Sequence, residues 1–336
     1  MAHASPAPLA ARYRRIEEGD IMRVGQNPAK SVQEVAQPAR VTVAIVTYIP
    51  FIGGYYAQAL EVLKRCLGSI WAHTDGDYDL LVFDNASCEE VRAYLLEQQR
   101  QSRIQYLTLS EQNIGKAGAW NYIFGAAPGE FVAYADSDVY FYEGWLQPHL
   151  EALEAFSNAG MVTGMPMLTP AQYSTATVNW AESASQVRVE HGRFLDWEDF
   201  WRHAQSLGGD EPKSRQFYQD NEDIVLFHQD KQYYVGAAHF QFVARKSVLQ
   251  SVLPIPSRRP MGEVRILDKK INAAGFLRLC LDQWYVQHMG NTLPEDESLN
   301  VADRVWRSGF SLWRFGPLRR LLQWVYNRSF EILYKS

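Results

Sequence analysis

Apolar positions in the first part of the chain form short continuous runs separated by amphipathic stretches. The run Val41 to Thr47 is β-branched and nearly unbroken, which is typical of a parallel strand covered on both faces. The predicted strands are 41–47, 78–83, 104–107 and 130–135, and the predicted helices between them are 57–73, 89–99 and 117–126. This alternation predicts an α/β fold, a doubly wound, mostly parallel sheet with helices on both faces.

Polar clusters follow three of these predicted strands. Thr47 and Tyr48 come after the first strand, the segment 84–85 (Asp-Asn) after the second, and the segment 136–138 (Asp-Ser-Asp) after the fourth. Ligands of open α/β sheets bind beyond the carboxyl ends of the strands. We therefore expect the three clusters to form one site.

The pattern is less regular after residue 140. Residues 190–234 carry many aromatic and polar residues without clear periodicity and are predicted to be an insertion that shapes the substrate site or closes over it as a lid. A strand is predicted at 235–244, a helix at 267–274, and strands at 277–281 and 285–288. The predicted domains are an arm at 1–39, a first half at 40–140 that carries the three polar clusters, a second half at 141–295 that contains the insertion, and a helical tail at 296–336.

Composition narrows the class of protein. The 336 residues are 47% hydrophobic, enough for a large core, and the net charge of −5 gives no basic footprint for a nucleic acid. Three scattered cysteines suit a reducing compartment, and the N-terminus lacks the apolar segment of a secretory signal. We therefore expect a cytoplasmic protein that does not bind nucleic acid.

The tail departs from this acidic average. Residues 301–336 contain seven Lys or Arg against two Asp or Glu, interleaved with Trp and Leu. This pattern suits a helix lying on an anionic membrane, at the inner face of the plasma membrane. The alternative is a terminal helix that packs on the domain itself or on a second subunit. Packing on a second subunit would make the protein a homo-oligomer.

The Asp-Ser-Asp segment has a defined chemical use. Two carboxylates one residue apart can direct one oxygen to a divalent metal and another to a ribose or a second metal position. Mn²⁺ and Mg²⁺ take oxygen ligands and bridge diphosphates, and such an ion stabilises the charge on a departing nucleoside diphosphate. Alone, the triplet is weak evidence because it is common in turns.

The order of four motifs is more specific: AIVTY, FDNAS, NIGKAGAWN and AYADSD follow one another over residues 41–140. This order resembles the nucleotide-binding half of family 2 glycosyltransferases, which have a GT-A fold. The resemblance implies that the nucleotide sugar binds at Thr47, Tyr48, Asp84, Asn85, Asn113, Gly115, Lys116, Asn121, Asp136 and Ser137. Lys116 would neutralise phosphate. One departure is Trp120, where the family often has Arg.

A second stretch of resemblance lies near residue 275. The family has a Glu-Asp pair opening a helix that ends in Ala-Gly, which here places Glu263 on the Glu and Val264 where the Asp would stand. The carboxylate base that an inverting transfer needs is therefore open between Glu263 and Asp268. His288 corresponds to a late family His, so the resemblance implies a metal site of Asp136, Asp138 and His288.

The sequence thus predicts a metal-dependent inverting glycosyltransferase using a nucleoside-diphosphate sugar and a glycan or lipid-linked acceptor. A role in cell-surface polysaccharide synthesis follows from family analogy alone. One alternative is a non-catalytic scaffold that binds nucleotide or membrane. A lesser one is a sugar-phosphate nucleotidyltransferase, but that class needs a Gly-rich, Arg-containing loop after the first strand, and this chain has TYIPFIGGYY there.

Overall fold

The computed structural model describes residues 25–32, 34–261 and 263–293. The chain divides between Pro38 and Ala39 into two compact units. The described part of the first unit contains one turn of 3-10 helix, Pro28–Ser31. The predicted tail at 296–336 lies outside the described residues.

The second unit has a large sheet with helices against it. Its strands are β1 (Val41–Thr47), β2 (Tyr78–Asn85), β3 (Tyr106–Ser110), β4 (Phe131–Asp136), β5 (Val139–Phe141), β6 (Ala159–Thr163), β7 (Arg188–Gly192), β8 (Asp223–His228), β9 (Lys231–Val235), β10 (Gln241–Arg245), β11 (Leu277–Leu281) and β12 (Val286–His288). Its helices are α1 (Ala59–His73), α2 (Glu89–Arg100), α3 (Gly115–Ala126), α4 (Leu146–Ala155), α5 (Thr175–Ser183), α6 (Trp197–Ser206), α7 (Glu211–Asp220), α8 (Lys246–Ser251) and α9 (Arg265–Ala273).

Ten strands form the main sheet in the order β3-β2-β1-β4-β10-β6-β11-β9-β8-β7. The first four are parallel, and β6 pairs with β11 in parallel as well. Strand β10 lies antiparallel between β4 and β6, so its first residue is next to the carboxyl end of β4. Strands β5 and β12 form a separate two-stranded ribbon.

The predicted fold class is confirmed. Strands β1 and β11 have the predicted bounds, and the helices between β1 and β4 lie where the apolar stripes predicted them. These strands are buried over nearly their whole length, which explains their continuous apolar runs.

One prediction for the second half is wrong. The strand predicted at 235–244 is two strands, because β9 ends at Val235 and a loop at 236–240 precedes β10. Gly236 breaks the run with a φ of 135°. The segment 190–234, predicted to be an insertion, contains α6, α7, β8 and most of β9 and extends the sheet, and its role at the substrate site stays a prediction.

Apolar side chains form a layer on each face of the main sheet. One layer packs α1, α2 and α4 against the sheet, and the other packs α3, α8 and α9. A smaller cluster lies beneath α6 and α7. Within the described ranges, none of these helices combines the length and the apolar character needed to span a bilayer.

Gly160 in β6 marks a tight contact between the sheet and α9. A Cβ there would lie 2.6 Å from Phe276 Cβ and 2.9 Å from Ile271 Cγ2. Because Phe276 Cβ is fixed by its backbone and cannot move aside, Gly160→Ala is expected to lower the free energy of unfolding by about 1–3 kcal/mol. Gly125, exposed in α3 with open space at its Cβ, is the matched control. Gly125→Ala should be neutral or stabilise by up to about 1 kcal/mol. Urea unfolding measures both, and equal effects would contradict the packing.

Candidate functional site

The three polar clusters meet at the carboxyl edge of the sheet. In the strand register Thr47 lies opposite Asp84, and Val46 lies opposite Asp136. Parallel pairing of β1 with both β2 and β4 produces this alignment, because all three strands end at the same level.

Asp84 is fully buried at the end of β2. Its carboxylate accepts the Ser87 backbone N–H at 3.2 Å and pairs with Arg92 Nε at 3.3 Å. Burial raises the pKa of Asp84, and the bonds from Ser87 and Arg92 oppose that rise. Asp84, predicted to bind the nucleotide sugar, therefore also holds the loop after β2 in place. Arg92 was missed, although the first turn of a helix after such a strand points back at the strand end.

Thr47 and Tyr48 differ in what they offer a ligand. Thr47 is buried, and its hydroxyl has no hydrogen-bond partner within the described ranges. Tyr48 is 38% exposed beside the end of β1. A buried hydroxyl without a partner is uncommon and marks a place where a ligand can supply one.

Two asparagines shape the turn into α3. Asn85 donates to Asn113 Oδ1 at 3.0 Å and accepts the Ile114 N–H at 2.9 Å. Gly115 follows with a φ of 76°, and a Cβ there would lie 2.7 Å from Ser257 Oγ. The turn thus needs a glycine both for its backbone angle and for the contact with the 256–261 loop.

Lys116, which the resemblance predicts to neutralise phosphate, forms an ion pair with Asp136 in this structure. Its Nζ lies 2.5 Å from Asp136 Oδ2, and the Tyr134 hydroxyl donates to Asp136 Oδ1 at 2.6 Å. The same Nζ lies 5.3 Å from the centre of the Trp120 ring, which is fully buried. Trp120 is therefore part of the core, and both oxygens of Asp136 have partners inside the protein.

Asn121 and Ser137 complete the predicted nucleotide-sugar set. The Asn121 amide exchanges two hydrogen bonds with the Ile255 backbone at 2.7 and 2.8 Å, so it joins α3 to the segment after α8. Ser137 lies in the turn between β4 and β5 and is partly exposed.

Asp138 and His288 lie together on the other side of this turn. His288 Nε2 is 3.3 Å from Asp138 Oδ2, and its Nδ1 is 3.0 Å from Ser206 Oγ at the end of α6. Burial raises the pKa of Asp138, but the charges of His288 and Lys116 together lower it by more, so the net shift is downward. Burial lowers the pKa of His288, but the charge and the hydrogen bond of Asp138 raise it by more, so the net shift is upward.

The structure brings together two of the three predicted metal ligands. Asp138 Oδ1 is buried and has no hydrogen-bond partner within the described ranges, as expected of an oxygen that a cation would bind. Asp136 is held by Lys116 and Tyr134. Over the described residues, no group of three His, Cys, Asp or Glu side chains is arranged to hold a metal ion. The residues therefore fit a cation that a ligand helps to coordinate.

The two predicted bases have different surroundings. Glu263 has a φ of 69°, and its carboxylate accepts the Arg258 N–H at 2.9 Å. Asp268 is buried in α9, where Arg278 Nη2 lies 2.8 Å from one oxygen and His239 Nδ1 lies 3.2 Å from the other. His239 and Arg278 were missed because both were assigned to strands, where no chemistry was expected.

Comparison with known proteins gives a family match. The model described as glycosyl transferase family 2 matches residues 54–183. A protein of Nostoc sp. named as an uncharacterized glycosyltransferase is 27% identical over 135 residues, which are 39% of this chain and 42% of that protein. This chain therefore spans less than half the length of that relative.

Two solved structures are similar at low identity. A mannosyltransferase from Pyrobaculum calidifontis, in complex with GDP-Man and Mn²⁺, has a TM-score of 0.43 and 16% identity over 74% of this chain and 55% of that chain. TarS of S. aureus (residues 1–349), in complex with UDP-GlcNAc, has a TM-score of 0.46 and 14% identity over 75% of this chain and 60% of that chain. The match to the glycosyl transferase family 2 model thus includes three of the four motifs, FDNAS, NIGKAGAWN and AYADSD, from which the sequence predicted the resemblance.

Proposed function

We propose that this chain is a metal-dependent inverting glycosyltransferase that moves a sugar from a nucleoside-diphosphate sugar to a glycan or lipid-linked acceptor. The observation that carries the proposal is the Asp138–His288 pair with its unpartnered carboxylate oxygen. Asp138 belongs to the matched family segment and follows a strand whose carboxyl end borders the candidate nucleotide site.

The pair suits a divalent cation shared with a diphosphate. Asp138 and His288 would hold Mn²⁺ or Mg²⁺, and phosphate oxygens of the donor would supply further ligands. Such an ion stabilises the charge on the leaving diphosphate. Ser206 holds the ring of His288, which fixes the nitrogen that faces Asp138.

The rest of the donor would lie along the ends of β1 and β2. The turn at 113–115 is fixed by Asn85, and the glycine at its end allows backbone to approach the donor closely. The Thr47 hydroxyl supplies one unpartnered polar group beside it. Lys116 neutralises Asp136, so this partly exposed carboxylate adds little repulsion beside a diphosphate.

Asp138→Asn tests the metal and the donor together. In a thermal-shift panel of UDP, GDP, dTDP and CDP, wild-type protein should be stabilised by one nucleotide, and only with Mn²⁺. When the free nucleotide concentration is 100 times its Kd, binding stabilises the folded protein by about 2.7 kcal/mol. Asp138→Asn should lose this shift, whereas Asp75→Asn, on an exposed loop before β2, should keep it. No shift in wild-type protein with any nucleotide would favour the scaffold alternative.

Lys116→Met separates the two roles of this lysine. Removing the Nζ leaves Asp136 with the Tyr134 hydroxyl alone, and we expect a loss of about 1–3 kcal/mol of stability in urea unfolding. Lys64→Met, which breaks an exposed pair with Glu61, should cost less than about 1 kcal/mol. Unchanged stability with a lost nucleotide shift would instead identify Lys116 as a phosphate ligand.

We also propose that the protein works in cell-surface polysaccharide synthesis at the inner face of the plasma membrane. The basic, Trp- and Leu-rich sequence at 301–336 supports this location. Deleting residues 301–336 should reduce binding to phosphatidylglycerol vesicles at least tenfold in a flotation assay, with weak binding to phosphatidylcholine vesicles as the control. A truncated protein that binds phosphatidylglycerol as before would refute the membrane role.

A further inference from the structure

The loop at 236–240, between β9 and β10, presents a histidine at the edge of the site. The His239 side chain is 32% exposed, and its Nδ1 lies 3.2 Å from Asp268 Oδ2. No protein group in the described part of the chain bonds to its Nε2. A carboxylate on Nδ1 favours the tautomer that carries its proton there, so Nε2 keeps a free lone pair.

Asp268 is itself held by a buried cation. Arg278 is 2% exposed, and its Nη2 lies 2.8 Å from Asp268 Oδ1. The guanidinium also donates to the carbonyls of Tyr173, at 2.6 Å, and Ala237. Arg278 therefore fixes both the carboxylate and the loop that carries His239, which leaves the imidazole little freedom to turn.

His239 lies beside the candidate donor site. The next residue, Phe240, accepts the Asp136 N–H at 2.8 Å. The ring centres of His239 and Trp120 are 6.3 Å apart, and Lys116 Nζ contacts the same indole. The imidazole and the Lys116–Asp136 pair therefore lie about one side chain apart.

Neither predicted carboxylate is as well placed to take a proton. Both oxygens of Asp268 are engaged, and the side chain is 7% exposed. One oxygen of Glu263 is used to close its own loop. Within the described residues, the His239 ring has a hydrogen-bond partner on Nδ1 alone, and its side chain is 32% exposed.

We propose, on the basis of the function proposed above, that His239 is the base that activates the acceptor, with Asp268 and Arg278 as positioning residues. Nε2 takes the proton of the acceptor hydroxyl while its oxygen forms a bond to the anomeric carbon. The bond from that carbon to the diphosphate oxygen breaks, and its electron pair leaves with the nucleoside diphosphate. Asp268 stabilises the resulting imidazolium.

The His239→Gln variant tests this role in an assay with common nucleotide-sugar donors. Release of nucleoside diphosphate from UDP-glucose, UDP-N-acetylglucosamine and GDP-mannose is measured with Mn²⁺, with water as acceptor. The variant should lose about 10²- to 10⁴-fold in kcat, with the KM for the donor and the nucleotide thermal shift unchanged. His191→Gln, on the exposed part of β7, is the matched control and should behave as wild type. Glu263→Gln tests the rival base.

A spectroscopic arm tests the positioning residues independently of activity. In ¹⁵N NMR of the full chain, the ring signals of His239 are those that the wild-type protein shows and His239→Gln lacks. In the wild-type protein these signals should indicate an unprotonated Nε2 and a protonated Nδ1. Asp268→Asn should lose this fixed tautomer. If Asp268→Asn does not fold, the wild-type tautomer still decides, because a proton on Nε2 would overturn the proposal.

The outcomes separate this proposal from the proposed function. A wild-type protein that releases no nucleoside diphosphate from any donor overturns both. Release that His239→Gln retains at the wild-type rate overturns the role of His239 and leaves the glycosyltransferase standing. Loss in Glu263→Gln alone assigns the base to Glu263.

Discussion

The buried ion pair between Arg278 and Asp268 holds together elements that are far apart in sequence. Arg278 is in β11 and Asp268 is in α9. The guanidinium also donates to the backbone carbonyls of Tyr173, in a 3-10 turn before α5, and of Ala237, in the loop before β10. Breaking a buried pair typically costs about 3–5 kcal/mol, because the remaining charge is left without a partner. The geometry of the loop at 236–240, and thus of the edge of the candidate site, depends on this pair.

The sequence predicted the parallel half of the fold well, for a simple reason. Strands covered on both faces must be apolar along their length, so β1 and β11 are visible as runs. The break at Gly236 was not visible, since Val235 and Phe242 to Ala244 are all apolar. Only the packed structure places the Gly236 backbone against Thr169, where a Cβ would lie within 3 Å of that side chain.

The edge strand β7 and its neighbour β8 were missed, β7 for the opposite reason. Strand β7 has no buried residue, and α6 and α7 likewise bury none completely, so their patterns are polar with isolated aromatics. Ser206 at the end of α6 nevertheless contacts His288. A partner 82 residues away cannot be inferred from local pattern, and neither can the pairing of Lys116 with Asp136, 20 residues away.

The spacing of the two aspartates has a consequence for the chemistry. In a continuous strand, residues 136 and 138 would share a face. Here β4 ends at Asp136 and a turn follows, so Asp136 points to Tyr134 and Lys116, and Asp138 points to His288. Two neighbouring residues of the loop at 236–240 also face opposite sides, because His239 contacts Trp120 and Phe240 contacts His288. In-line displacement needs the attacking group and the leaving group on opposite sides of the reacting carbon. A base on the Trp120 side and a cation on the His288 side would provide that arrangement.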